Sequence, residues 1–158
     1  MKKVTIAAAV FLIGWSMGCA VAQQAPTVSG NPIINLDVRD APSSGADGYT
    51  DVTACGTQYS YRYSGGGGKG GDVTFTSRGK VTVVIKLNND SNAGRRYTIN
   101  DISFKNDANG QLSWVSNAPA NGVIHDKNDK LQAASYKVTV NDATADCDVP
   151  CDPMIINR

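Results

Sequence analysis

The stretch KVTVVIKL, residues 80–87, decides the fold class of this chain. Its apolar residues Val81, Val83, Ile85 and Leu87 fall on alternate positions, the period of a strand with one buried face and one wet face. Similar alternation returns along the chain, with turn signals between the segments. The other predicted strands are 33–39, 49–54, 58–63, 73–76, 97–104, 112–115, 123–125, 135–140 and 154–157.

Short alternating strands with frequent turns predict an all-β domain, an antiparallel immunoglobulin-like β-sandwich. A small up-and-down barrel is the alternative architecture. All 14 acidic residues are Asp and none is Glu. Asp favours turns whereas Glu favours helices, so this choice also favours strands and turns. The phase of the apolar residues shifts between Ile99 and Ile102, which predicts a β-bulge.

The first 22 residues have the layout of a secretory signal peptide. Lys2 and Lys3 precede an apolar run over 4–15, and small residues end in Ala20-Val21-Ala22. The run is shorter than the roughly 20 apolar residues that a membrane span needs. We therefore expect cleavage after Ala22, a flexible leader over 23–30, and one β-sandwich domain over 31–158. The expected location is periplasmic or secreted, with no integral membrane segment in the mature chain.

Cys19 provides an alternative location. In a lipoprotein signal the lipidated cysteine follows a small residue and has an aliphatic residue three positions before it. Gly18 fits this pattern and Ser16 does not. A chain anchored by a lipid at Cys19 is the alternative to a freely secreted one.

The charge balance bears on the class of partner. Removing Lys2 and Lys3 with the signal leaves 13 basic residues against 14 acidic ones, and the signs are interspersed. A nearly neutral chain of this kind argues against nucleic acid as the partner. We expect a protein or a glycan instead.

Three cysteines remain in the predicted mature chain: Cys55, Cys147 and Cys151. In an oxidising compartment they suggest one disulfide and one free thiol. Proximity in sequence favours a Cys147–Cys151 pair, with Cys55 free and buried. The alternatives, Cys55–Cys147 or Cys55–Cys151, would tie the tail of the chain to its body.

The candidate contact surface combines a tyrosine stripe with a glycine loop. Tyr59, Tyr61 and Tyr63 share one face of a strand, and tyrosine suits interfaces because its ring is amphipathic. The loop over 64–71 carries Lys69 but lacks the spacing of a phosphate-binding P-loop. The stripe could equally belong to the core.

Catalytic and metal-binding patterns are weak. His125 is the single histidine and precedes Asp126, but no G-x-S-x-G element accompanies them. The Asp-rich turns do not have EF-hand spacing, and further His or Cys ligands for zinc are missing from the sequence. We predict neither a metal site nor a cofactor.

The C-terminal residues Asp152, Pro153, Ile155 and Asn157 form the motif Asp-Pro-x-Ile-x-Asn. This ending resembles the DP-EP family of small bacterial all-β proteins. The resemblance implies an aspartic-peptidase-like, self-cleaving activity at Asp152-Pro153. The signal peptide and the two neighbouring cysteines depart from the family pattern.

Two functions follow as expectations. The first is a non-enzymatic binding or structural module. The alternative is a self-cleaving protein in which Asp146, Asp148 and Asp152 supply the carboxyl groups, since two nearby carboxyls can share a proton. Asp before Pro is also a common opening of a turn, so Asp152-Pro153 is expected to launch the closing edge strand.

Overall fold

Most of the described chain consists of strands and the turns between them. The computed structural model describes residues 30–66, 69–88 and 96–157. Its strands, numbered in chain order, are β1 (Ile33–Arg39), β2 (Thr50–Ala54), β3 (Thr57–Gly65), β4 (Val73–Phe75), β5 (Val81–Leu87), β6 (Tyr97–Lys105), β7 (Leu112–Ala118), β8 (Asn121–Asp126), β9 (Gln132–Asp142), β10 (Cys147–Cys151) and β11 (Met154–Asn157).

Helical structure in these residues is limited to two short 3-10 turns, Ala46–Gly48 and Lys69–Gly71. None of the described helices has the length and apolar character needed to cross a bilayer. The predicted all-β class is confirmed. The predicted signal peptide, Cys19 and residues 23–29 of the predicted leader lie outside the described residues.

The strands form two sheets. The first has six strands in the order β2-β3-β1-β5-β8-β7. In the second, β9 pairs with β6 along one edge and with β10 and then β11 along the other, and β11 also pairs with β4. The β6 ladder shifts register between Ile99 and Asp101, where the sequence predicts a bulge.

Two strand pairs depart from the predicted antiparallel arrangement. β1 runs parallel to β5, and β4 runs parallel to β11. Parallel neighbours need a long connection rather than a tight hairpin. Both pairs meet this condition, because they join strands far apart in the chain.

One buried apolar cluster lies between the sheets. Strand alternation sends Ile34, Leu36 and Val38 of β1 inward from the first sheet. Val138 and Val140 of β9 face them from the second. Each such side chain stabilises the fold by about 1.5–3 kcal/mol when it is fully removed from water.

The tail completes the second sheet. Cys151 pairs with Val138 and Met154 with Ser135, so β10 and β11 keep one register along β9. Asp152 and Pro153 lie between these strands, where the missing N–H of proline interrupts the ladder. The predicted tail strand is confirmed, but it is not an edge strand, because β4 pairs with its other side.

The cysteine pairing differs from the favoured prediction. Cys55, in the turn between β2 and β3, is bonded to Cys147 at the start of β10, and their Cα atoms are 6.1 Å apart. Cys147 and Cys151 lie at opposite ends of one extended strand. Four residues of strand span about 13 Å, too far for a disulfide. The Cys147–Cys151 prediction is wrong, and the alternative Cys55–Cys147 pair is the one present.

The free cysteine is therefore Cys151, which is buried, and not Cys55. Proximity in sequence predicts a small disulfide loop over 147–151, whereas these residues form the strand β10. Its alternating burial shows why it forms a strand: Cys147, Val149 and Cys151 all face inward.

We predict that replacing Cys55 and Cys147 together with Ala lowers the free energy of unfolding by about 2–5 kcal/mol, the usual range for a native disulfide. The crosslink joins residues 92 positions apart, so its loss frees a long loop in the unfolded chain. Urea unfolding measures the difference.

Peptide mapping without reduction supplies the direct check of this pairing. It should recover a Cys55–Cys147 peptide, with Cys151 alkylated only after unfolding. Recovery of a Cys147–Cys151 peptide would contradict this pairing.

Candidate functional site

The predicted tyrosine surface lies inside the protein. Tyr59, Tyr61 and Tyr63 of β3 are 1%, 9% and 5% exposed and belong to the core cluster. Strand alternation points all three rings at the second sheet. The prediction of an exposed contact surface is wrong, and the alternative, a core stripe, is what the structure shows.

Each of these tyrosines places its hydroxyl against a residue of the second sheet or its connections. Tyr59 donates to Asp142 Oδ2 at 3.1 Å, and Tyr63 donates to the carbonyl of Cys151 at 3.0 Å. The hydroxyl of Tyr61 accepts the backbone N–H of Asp152 at 3.3 Å. We call these three contacts the cross-sheet seam.

A buried carboxylate anchors one end of the seam. The Asp142 side chain is 0% exposed and accepts two hydrogen bonds from Arg96, from Nε at 2.8 Å and Nη2 at 2.7 Å. The backbone N–H of Thr144 adds a third at 3.0 Å. The hydrogen bonds from Arg96 are the largest cause that lowers the pKa of Asp142, so this carboxyl stays ionised.

The glycine loop packs against the seam at Gly71. Gly71 has φ +81°, and a Cβ there would lie 2.8 Å from Tyr63 Cγ and 3.0 Å from Pro153 Cβ. Its carbonyl accepts the Tyr136 hydroxyl at 2.9 Å. Only glycine fits this position. Lys69 lies in the same 3-10 turn as Gly71, and its side chain is outside the described part of the chain.

The three candidate acids occupy separate surroundings. Asp146 lies in the turn between β9 and β10 with φ +50°. Asp148 is on the exposed face of β10, where it accepts amide hydrogen bonds from Asn100 and Asn141. Asp152 follows β10 with its side chain exposed. No hydrogen bond joins any two of these carboxyls among the described residues.

Among the described residues, no hydrogen bond or ion pair joins His125 to a carboxylate of the kind a catalytic triad needs. It is exposed on β8, whereas its neighbour Asp126 is buried, because consecutive strand residues face opposite sides. Ser113 of β7 lies directly across from His125, and Thr82 of β5 lies on its other side. Asp126 Oδ1 instead accepts the backbone N–H of Asn128 at 2.8 Å.

A cavity of about 300 Å³ lies at this end of the six-stranded sheet, where β5 begins, β7 begins and β8 ends. We call it the sheet-end cleft. It is lined by Lys80, Val81, Gln111, Ser113, His125, Asp126 and Lys127. Ends of sandwich strands and their loops are common places for binding sites.

The walls of the sheet-end cleft are held by hydrogen bonds. The buried side chain of Gln111 accepts the N–H groups of Asp129 and Lys130 through Oε1, at 2.8 and 3.0 Å, and donates to the Lys130 carbonyl. Lys127 donates from Nζ to the Gly110 carbonyl at 2.9 Å. Two loops are thereby fixed to each other beside the cavity.

Lys80, Ser113 and Lys127 are lining residues of the cleft that no sequence pattern connects with His125. Lys80 and Ser113 lie within the predicted strands 80–87 and 112–115, and Lys127 follows the predicted strand 123–125, which is the only signal that the sequence offers. These residues come close together because β5 and β7 flank β8. Which strands pair with each other cannot be predicted from a single sequence.

The described residues include no group of three His, Cys, Asp or Glu side chains arranged to hold a metal ion. The cleft contains one histidine and one carboxylate among its lining residues. Its exposed lining residues can all donate hydrogen bonds; they are Lys80, Ser113, His125 and Lys127.

We predict that Asp142→Asn lowers the free energy of unfolding by about 1.5–3 kcal/mol at neutral pH, the range for hydrogen bonds to a charged group. The change removes the carboxylate that pairs with Nε and Nη2 of Arg96, while Nη1 of Arg96 keeps its bond to Asp40. The exposed Asp148→Asn is the control and should cost less than about 1 kcal/mol. Urea unfolding at several pH values measures both.

The pH dependence gives a second readout. A carboxyl group whose pKa is lowered by folding stabilises the protein at pH values above its ordinary pKa of about 3.9. This stabilisation is lost as the pH falls through the lower pKa of the folded state. The gap between wild type and Asp142→Asn should therefore shrink below about pH 4. A gap that is independent of pH would contradict the ionised state of Asp142.

No protein-family model matches this chain, and a search of curated proteins finds no similar sequence.

Proposed function

We propose that this chain is an exported, non-enzymatic module with a binding or structural role. The observation that supports this most directly is the environment of Asp152 and Pro153. The backbone N–H of Asp152 is bonded to Tyr61, and the buried Pro153 packs against Gly71. The tail that the alternative function would cut is thus built into the second sheet.

Export is supported by the cysteines and by the start of the sequence. A pair at disulfide geometry fits an oxidising compartment. The layout of residues 1–22 favours a periplasmic or secreted location, with lipid attachment at Cys19 as the alternative. The partner we propose is a protein or a glycan.

Membership of the DP-EP family is also a proposal. It is supported by Asp152, Pro153, Ile155 and Asn157 and by an all-β fold in which this motif begins a strand. In this arrangement the motif has a structural role, because it separates β10 from β11. Asp and Pro end β10, and the following residues pair with both β9 and β4.

Self-cleavage at Asp152-Pro153 is the rival function. An Asp-Pro bond is labile because the carboxyl can attack its own carbonyl carbon, and the proline nitrogen leaves once it is protonated. A carboxylate dyad would help by raising one pKa. Asp148, the nearest candidate in sequence, instead has its oxygens held by Asn100 and Asn141.

We predict that purified protein keeps its intact mass after prolonged incubation at pH 7 and at mildly acidic pH, and that Asp152→Asn behaves identically. Intact-mass spectrometry over time provides the measurement. Asp101→Asn, which removes an exposed acid on β6 that is not one of the candidate carboxyls, is the control for a general effect of removing an exposed acid.

The rival function makes the opposite prediction. It expects a fragment that ends at Asp152 in wild type, increases as pH falls, and is absent in Asp152→Asn. Observing that fragment from folded protein would overturn the non-enzymatic proposal.

A further inference from the structure

We propose that the sheet-end cleft binds a small anion, through a carboxylate or phosphate group on a molecule no larger than a monosaccharide. This inference rests on the proposed function as a binding module and names its ligand class.

The first support is the chemistry of the exposed lining. Lys80, Ser113, His125 and Lys127 are all exposed, and every one of them can donate a hydrogen bond. The two lysines also carry positive charge. A ligand that meets these groups must accept hydrogen bonds and gains most if it is negatively charged.

The second support is the position of the one carboxylate in the lining. Asp126 is 1% exposed, and its Oδ1 accepts the Asn128 N–H at 2.8 Å. It therefore belongs to the base of the cleft rather than to its solvent face. The charge that an entering ligand meets first comes from the lysines.

The third support is preorganisation. Gln111 joins the loops on either side of the cleft, and the Lys127 backbone N–H donates to the Gln111 carbonyl at 3.1 Å. On the third side, the Gly79 N–H donates to the Asn128 carbonyl at 3.1 Å and places Lys80 next to the cavity. These bonds fix the loop backbones that carry Lys80 and Lys127, so less of the backbone has to be ordered when a ligand binds.

The dimensions limit the ligand. A cavity of about 300 Å³ is at the small end of known ligand sites. Val81 adds an apolar contact to the wall, which suits the carbon frame of a sugar acid. His125 and Asp126 face opposite sides of β8, so they do not form the His–Asp pair that a hydrolytic triad needs. The lining residues are therefore suited to binding rather than to hydrolysis.

Amide NMR titration of the exported protein tests this inference. The probes are glucuronate, inorganic phosphate and neutral glucose. We expect glucuronate, phosphate or both to shift the signals of residues around Lys80, Ser113, His125 and Lys127, with glucose shifting none of them. The more tightly bound probe identifies whether the natural source is a sugar acid or a phosphate.

Three variants complete the experiment. Lys80→Gln should weaken binding of the anion by at least about tenfold, the loss expected for one hydrogen bond to a charged group, and adding Lys127→Gln should abolish it. Lys86→Gln, near the other end of β5 and exposed, is the matched control and should bind as wild type does. Lys80→Gln leaves the Lys127–Gly110 bond in place, so it tests the charge even if the double variant folds poorly.

The inference would be overturned if glucose bound as tightly as glucuronate, or if neither anion gave a specific shift at millimolar concentration. An equal loss of anion affinity in Lys80→Gln and Lys86→Gln would also overturn the inference, because it would show that the anion is attracted by the overall charge of the protein and not by the cleft. None of these results bears on whether Asp152-Pro153 is cleaved, so the binding-site inference and the non-enzymatic proposal fail separately.

Discussion

A buried, ionised carboxylate is the constraint on which the rest of this fold depends. Asp142 ends β9 with a side chain that has no contact with water, and such a charge is costly unless it is fully paired. Arg96, Tyr59 and the Thr144 N–H supply the pairing. They come from the start of β6, from the facing sheet and from the turn after β9, so satisfying one carboxylate fixes three parts of the chain.

The same place carries the covalent link between the sheets. Cys147 pairs directly with Asp142 in the β9–β10 ladder, and its sulfur is bonded to Cys55 at the β2–β3 turn. Further along β3, Tyr61 and Tyr63 bind the chain at Asp152 and Cys151. The seam therefore joins the two sheets, and the sheet-end cleft, where we propose a binding site, lies outside the seam at the end of the six-stranded sheet.

The sequence predicted what depends on local periodicity and missed what depends on pairing. Alternation located β1, β5 and β11 closely, and the phase shift after Ile99 marked the β6 bulge. It could not assign the tyrosine stripe to core or surface, because one-sided alternation looks the same whichever face is buried. It also read 147–151 as a loop, since proximity in sequence hid the extended geometry that keeps Cys147 from Cys151. The cleft could not be predicted, because its lining residues meet only when β5, β8 and β7 pair in that order.

Native-state hydrogen exchange tests the central claim most directly, because it measures whether the seam joins both sheets into one cooperative unit. If the seam joins both sheets, the slowest amides of β3, β9 and β10 should exchange with the same free energy of opening, equal to that of global unfolding. Exchange of β10 amides through an opening at least about 2 kcal/mol easier than global unfolding, while β3 stayed protected, would contradict such a joint unit.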